Sequence, residues 1–430
     1  MQQEFWLCKA DPSRNRQELF SKAGDLSCCL EILLNSKLSE EHLKVMLKCM
    51  APYRFNADGV SMSGANFSAM DLSRASFKNA DLKWSNFEAA NLADFNGNGA
   101  NFRKSCFKRI DGVQASFKTA SLYNAVFDSS DLDKSDFSAS FLHSASFWGA
   151  NCISARFVAA DMRQANLSEA NFTDANLAGA NLAFANLSGA NLSEATLTGA
   201  NLSDASLSKV SLKQADLTGA NLADANLSGA NLADANLSGA NLADASLSGA
   251  NLADANLSGA NLVNVNLSGA NLADADLSAA NLADVNLPEA NLAGVNLTYA
   301  YLSATDLSAV NLSGANLAGV NLTEANLSNA DLSGANLEGA NLTNAILAEA
   351  NLLGANLSGV SLIGVDLTQA NLTGANLTDA NLTEANLTKA NLTGADLTNA
   401  NLTEANLSGA DLTDANLTGA TFLTGTIFRQ

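Results

Sequence analysis

The sequence predicts an all-β solenoid: a four-sided tube wound from five-residue sides, with a small α-helical cap at its start. Three observations carry that expectation. A five-residue phase runs from Met62 to Ile427 without insertion or deletion. Through the first part of that run, Phe recurs at the central position every ten residues, mostly alternating with Leu. And the 430 residues hold only 6% aromatic and 15% charged side chains, with 29 Gly and 3 Pro. So few large side chains cannot furnish the core of an ordinary globular enzyme of this length.

Residues 1–60 stand outside the repeat and read as two helices. Asp11 is placed to cap a helix with Pro12 at its first position, and Leu19, Ala23, Leu26, Leu30 and Leu33 make one apolar stripe. A second helix starts at Ser39, with Leu38 and Leu43 as a hydrophobic staple. Its inner face is Leu43, Met46, Leu47 and Met50, and Ala51-Pro52 ends it. An uncovered coil end exposes apolar centres and unpaired backbone, so this pair is expected to cap the first coils; partner docking is the alternative.

Residues 61–428 are the repeat. Each pentad reads Ala, Asn or Asp, a bulky centre, a small residue, then Gly or a polar residue. Five matches neither the period of a helix nor simple strand alternation. It fits a short extended piece followed by a corner. In Ala-Asn-Leu the Ala and Leu project to one side and Asn to the other. In Leu-Ser-Gly-Ala, Gly takes the third turn position, which suits type II because φ is positive there. Leu-Ala-Asp-Ala, as at Leu222–Ala225, suits type I instead. Pro288, the one proline within the repeats, falls at the second turn position, where a fixed φ is welcome.

The number of sides follows from the phenylalanines. With twenty residues per coil, Phe67, Phe87, Phe107, Phe127 and Phe147 stack in one column, and Phe77, Phe117, Phe137 and Phe157 in the opposite one. With three sides the columns scramble, so four are expected. Two centres are glycine, Gly97 and Gly112, and in both pentads the usual inward Ala is large instead, Phe95 and Ile110. That pattern suggests volume compensation, with a local bulge as the alternative. The repeat divides into a Phe/Leu-alternating part, 61–165, and an acidic part with Leu centres, 166–428. Phe422, Ile427 and Phe428 break the Leu monotony at the far end. They read either as a plug or as an end-to-end homodimer contact.

These units, Ala-Asn-Leu-Ser-Gly and Ala-Asn-Leu-Ala-Asp repeated in phase, resemble the pentapeptide-repeat family over about residues 61–428. The resemblance implies a right-handed quadrilateral β-helix, here of about 18 coils and roughly 90 Å, and a non-enzymatic protein. It also implies a choice of roles: DNA mimics that act on DNA gyrase, interaction scaffolds, and secreted effectors.

Little in the chain suggests catalysis or cofactors. Near-identical units offer no singular constellation of tuned groups, and neither of the two histidines, His42 and His143, has a partner pattern. No phosphate loop or calcium-binding repeat occurs, so no cofactor or metal is expected. The six cysteines all fall within the first 152 residues without paired spacing, which suits free thiols in a reducing compartment. No apolar run is long enough to span a bilayer and the first residues do not read as a secretory signal. A cytoplasmic location is expected.

Charge is the informative feature. Residues 214–428 hold 15 Asp and 6 Glu against Lys389 alone, so the whole net charge of -20 sits there. Asp224, Asp244, Asp284, Glu324, Glu384 and Glu404 share one corner at twenty-residue spacing, and Asp234, Asp254 and Asp274 share the opposite one. The density, about 0.4 charges per Å against roughly 0.6 for duplex DNA, permits DNA mimicry, and solubility is the plainer account. In the first half, Lys83, Trp84, Arg103, Lys104, Tyr123, His143 and Arg163 also fall on one corner. Basic and stacking side chains together suit an anionic partner, while a solvated turn surface is the plainer account. The sequence therefore points to a non-catalytic cytosolic scaffold that binds an unidentified protein rather than nucleic acid or membrane. An acidic modulator of DNA gyrase or topoisomerase and a secreted effector are the alternatives.

Overall fold

The computed structural model describes residues 56–422. The expected helical cap at 1–60 falls almost wholly outside them, as do Ile427 and Phe428. Among the described residues the backbone repeats one unit: a bridge residue, an inward centre, two turn residues and an inward small residue. Parallel bridges join each residue to the one twenty further on, as in Asn201–Asn221–Asn241–Asn261. Four sides therefore make one coil, and the tube is a quadrilateral β-helix.

The pentad Asn221–Ala225 shows why five residues suffice. Asn221 N–H donates to Ala200 O in the coil behind, 2.9 Å, and Leu222 N–H to Asn241 O in the coil ahead, 2.7 Å. The Ala223 N–H turns back to the Asn221 side chain, 3.3 Å. Asp224 N–H reaches Ala243 O, 3.0 Å, and Ala225 N–H closes the turn on Leu222 O, 3.1 Å. All five donors are satisfied. The outward Asn thus has two tasks. Its oxygen holds the turn, and its amide donates to the Asn one coil behind, 3.1 Å from Asn221 to Asn201 and 3.0 Å from Asn241 to Asn221. Pro288 fits for the same reason: the N–H it lacks is the one a side chain would otherwise satisfy.

The type I turn expected at Leu222–Ala225 is not present. Asp224 has φ +58°, like Lys104 at +59° and Tyr299 at +58°, alongside glycines such as Gly239 at +63°. Left-handed backbone costs an L-residue about 1–2 kcal/mol. The reason it is adopted is the axial bond: each corner must aim the N–H two residues after the centre at the next coil, whatever residue stands there.

Inside, centres and small residues are buried along the tube. Phe67, Phe87, Phe107, Phe127 and Phe147 stack face to face, with centroids 4.6–4.8 Å apart. Phe117, Phe137 and Phe157 stack opposite, 4.9 Å apart. Where Gly97 leaves that second column empty, the Phe95 ring enters it, 5.5 Å from Phe77 and 5.7 Å from Phe117. A Cβ on Gly97 would lie 2.9 Å from the Phe95 ring, and one on Gly112 would lie 3.2 Å from Ile110 Cδ1. The compensation is real, and both pentads keep the regular backbone with no bulge.

One rung is lost. Bridges Asn281–Tyr301 and Asn291–Asn311 persist, but none joins Asn286 to Asp306 among the described residues. The gap coincides with Val285 beneath Thr305, β-branched side chains in a column where Ala is usual, and the buried Thr305 hydroxyl has no partner.

Because Phe95 substitutes for a missing centre, Phe95→Ala should lower unfolding free energy by roughly 3–5 kcal/mol. Chemical denaturation measures this, and a loss below about 1 kcal/mol would contradict the packing.

Candidate interaction surface

The twenty-residue ladder turns sequence spacing into columns, so it brings the basic and aromatic residues together on one corner. Lys83 and Trp84, then Arg103 and Lys104, Tyr123, His143 and Arg163 follow centres Leu82, Phe102, Leu122, Leu142 and Met162, one coil apart. Arg103 lies over the Tyr123 ring, 4.7 Å from its centroid, and Lys83 Nζ is 5.5 Å from that of Trp84. Tyr123 continues the stack toward His143, 6.2 Å away, and His143 Nδ1 is 3.0 Å from Ser144 Oγ. A groove of about 310 Å³ is lined by Lys83, Trp84, Asn101, Arg103 and Lys104.

These cations are not equivalent. Arg163 is engaged by Asp161 through two bonds of 2.8 and 2.7 Å, and Lys83 by Asp81 at 3.1 Å. The Arg163 hydrogen bond holds the Asp161 carboxyl below the usual carboxylate range, and Asp161 in turn raises the Arg163 guanidinium. Arg103 and Lys104 have no carboxylate within 4.0 Å among the described residues. Their charge is available. Trp84 is 59% exposed beside them.

Sequence reasoning missed two members of this edge. Phe141 takes an outward position where Asn or Asp is usual, and its ring stacks on Tyr123 at 6.2 Å. Phe184 stands at the turn position that is most often Gly or polar, 59% exposed. In both cases the signal was an aromatic in a slot the register reserves for polar residues.

The same ladder sets the acidic residues in columns. Asp224, Asp244, Asp284, Glu324, Glu384 and Glu404 share a corner, and it is the same corner as the basic strip, continued past Phe184 and Asp204. Asp234, Asp254 and Asp274 lie on the opposite corner, where Lys213 approaches Asp234 at 4.0 Å. Of the far-end candidates Phe422 alone is described, 40% exposed. Tyr299 lies across Gly319 in the next coil, a packing role at a surface turn.

Among the described residues no group of three His, Cys, Asp or Glu gathers as a metal site, and no helix is long and apolar enough to cross a membrane. Cys152 is a buried inward centre whose thiol is pushed up by burial, so it is held as an inert thiol.

A family model described as pentapeptide repeats (8 copies) matches in overlapping stretches that together span 56–111 and 135–430. The chain belongs to the pentapeptide-repeat family, whose fold is the right-handed quadrilateral β-helix. Among solved structures it is similar to HetL, a pentapeptide repeat protein involved in heterocyst differentiation regulation from the cyanobacterium Nostoc sp. The two share 39% identity over 56% of this chain and 91% of HetL, with a TM-score of 0.28. Rfr23, from the cyanobacterium Cyanothece, is 34% identical over 30% of this chain and 90% of its own, TM-score 0.14. QnrB1, a plasmid-mediated fluoroquinolone resistance protein, is 19% identical over 42% of this chain and 90% of its own, TM-score 0.26. No curated protein matches.

Because the lowered Asp161 pKa comes first from Arg163, it favours folding above the ordinary carboxylate range, and the contribution is lost as pH falls through the lowered value. Arg163→Ala should move the Asp161 titration up toward the ordinary value in a carboxyl NMR experiment. An unchanged titration would show that Arg163 is not its cause.

Proposed function

We propose that the protein is a non-catalytic interaction scaffold of the cytosol, and that it docks partners along the corner from Lys83 to Phe184. The observation that carries this reading is the uncompensated charge of Arg103 and Lys104, framed by exposed Trp84 and the Phe141–Tyr123 stack. On a rod of repeated units, this stretch is chemically distinctive. Its combination of a cation pair and flat rings suits an acidic protein surface. The family's other members are generally structural or interaction proteins, which agrees with this.

The test is affinity capture from native lysate with wild type beside the double variant Arg103→Glu/Lys104→Glu. The specific partners should be lost from the variant at unchanged melting temperature. Retention of every partner would end this reading.

The two carboxylate columns favour a second reading, an acidic modulator of a type II topoisomerase. It predicts salt-dependent inhibition or protection of DNA gyrase by micromolar protein, and no effect in a supercoiling assay would dismiss it.

A further inference from the structure

We propose that this corner pairs with the same corner of a second copy of the chain, the two rods lying side by side and antiparallel about a two-fold axis at Phe184. The proposal rests on the scaffold reading of this edge and names its occupant.

The corner is bipolar. On one side of Phe184 it carries Arg163, His143, Tyr123, Arg103 with Lys104, and Lys83 with Trp84. On the other side it carries Asp204, Asp224, Asp244, Asn264 and Asp284. Both series share one pitch because both are set by the same bridge ladder, residue to residue plus twenty. A second copy turned end for end about Phe184 places them rung against rung. Arg163 faces Asp204, His143 faces Asp224, Tyr123 faces Asp244, and Lys83 with Trp84 faces Asp284. Arg103 and Lys104 face Asn264, and their long side chains reach Asp244 or Asp284 one coil away, about 4.8 Å.

Within one chain Arg163 and Lys83 already hold Asp161 and Asp81, and Asp244 accepts from Asn264, so the free cations are Arg103 and Lys104. Among the described residues, Arg103 and Lys104 have no carboxylate within 4.0 Å, and beyond Arg163 the one ion pair is Lys213–Asp234, on the opposite corner. Asp204, Asp224 and Asp284 are exposed at their corners. Phe184, 59% exposed, is an aromatic without an evident task in the single rod. On a two-fold axis it meets its own copy. A parallel pair would instead set carboxylate on carboxylate.

Symmetry makes every cation–carboxylate contact twice. The overlap from Lys83 to Asp284 runs ten coils, roughly 48 Å. The acidic remainders beyond Asp284 leave the pair at opposite ends, so the strongest like charges stay apart. Such a contact is charge-steered and weakened by salt.

Sedimentation velocity on the full chain tests the proposal. The two-chain mass is expected at low salt, with dissociation as ionic strength rises. Lys83→Glu/Arg103→Glu/Lys104→Glu alone and Asp244→Lys/Asp284→Lys alone should each weaken pairing by at least about tenfold. An equimolar mixture of the two should restore it, because altered edge meets altered edge and native meets native. Phe184→Cys should give a disulfide-linked pair under mild oxidation. A one-chain mass at low salt overturns the proposal, as does failure of the mixture to recover the two-chain mass. A pair that survives both salt and charge reversal also overturns it and points to the far end instead. If the protein is monomeric while captured partners still depend on Arg103 and Lys104, self-pairing falls and the scaffold reading stands.

Discussion

The rest of the structure depends on one hydrogen bond, which recurs at all described corners facing a described coil ahead except Asp284 and Glu289: the N–H two residues after the centre, aimed along the rod axis at the next coil. It fixes the corner in left-handed backbone, stacks each corner on the next, and so makes twenty residues the repeat of every surface feature. Asp224 and Gly239 obey it alike, at φ +58° and +63°. Intrinsic preference at the corner is overridden because the lost alternative, an unpaired backbone donor in every coil, costs more than the strain.

With the backbone fixed, the interior is left one degree of freedom, side-chain volume. Columns of Phe stack at about one coil spacing, and a missing centre is answered by a neighbour, as Phe95 answers Gly97. One rung is lost between Asn286 and Asp306, beside Val285 and Thr305, while Val265 beneath Val285 keeps its rung from Asn266 to Asn286. The outside is free to vary, and in this chain it varies along the axis. One corner passes from cations and rings to carboxylates without changing pitch, so the rod has a direction that another surface can read.

Most of the architecture was legible because the period is unbroken and the phenylalanines choose four sides over three. The Phe95 and Ile110 substitutions were legible as well, since volume must be conserved where backbone is rigid. The turn type at Leu222–Ala225 was not. A local reading gives Asp a type I turn, and only the non-local axial bond makes that wrong. Phe141 and Phe184 were overlooked because attention went to charge rather than to aromatics in polar slots. The basic strip and the acidic column were each found from spacing, but that they share a corner emerges only when both halves are counted in one register. What Trp84, Arg103 and Lys104 bind was not legible, because a repeat specifies its own backbone and leaves surface chemistry to partners.

The central claim is that residues twenty apart stack. Pulsed EPR between spin labels introduced at Asp224 and Glu404 measures it over nine coils. The four-sided tube predicts a separation of about 43 Å. A distance near 58 Å, as twelve three-sided coils would give, or a short, broad distribution as in a collapsed bundle, would contradict it.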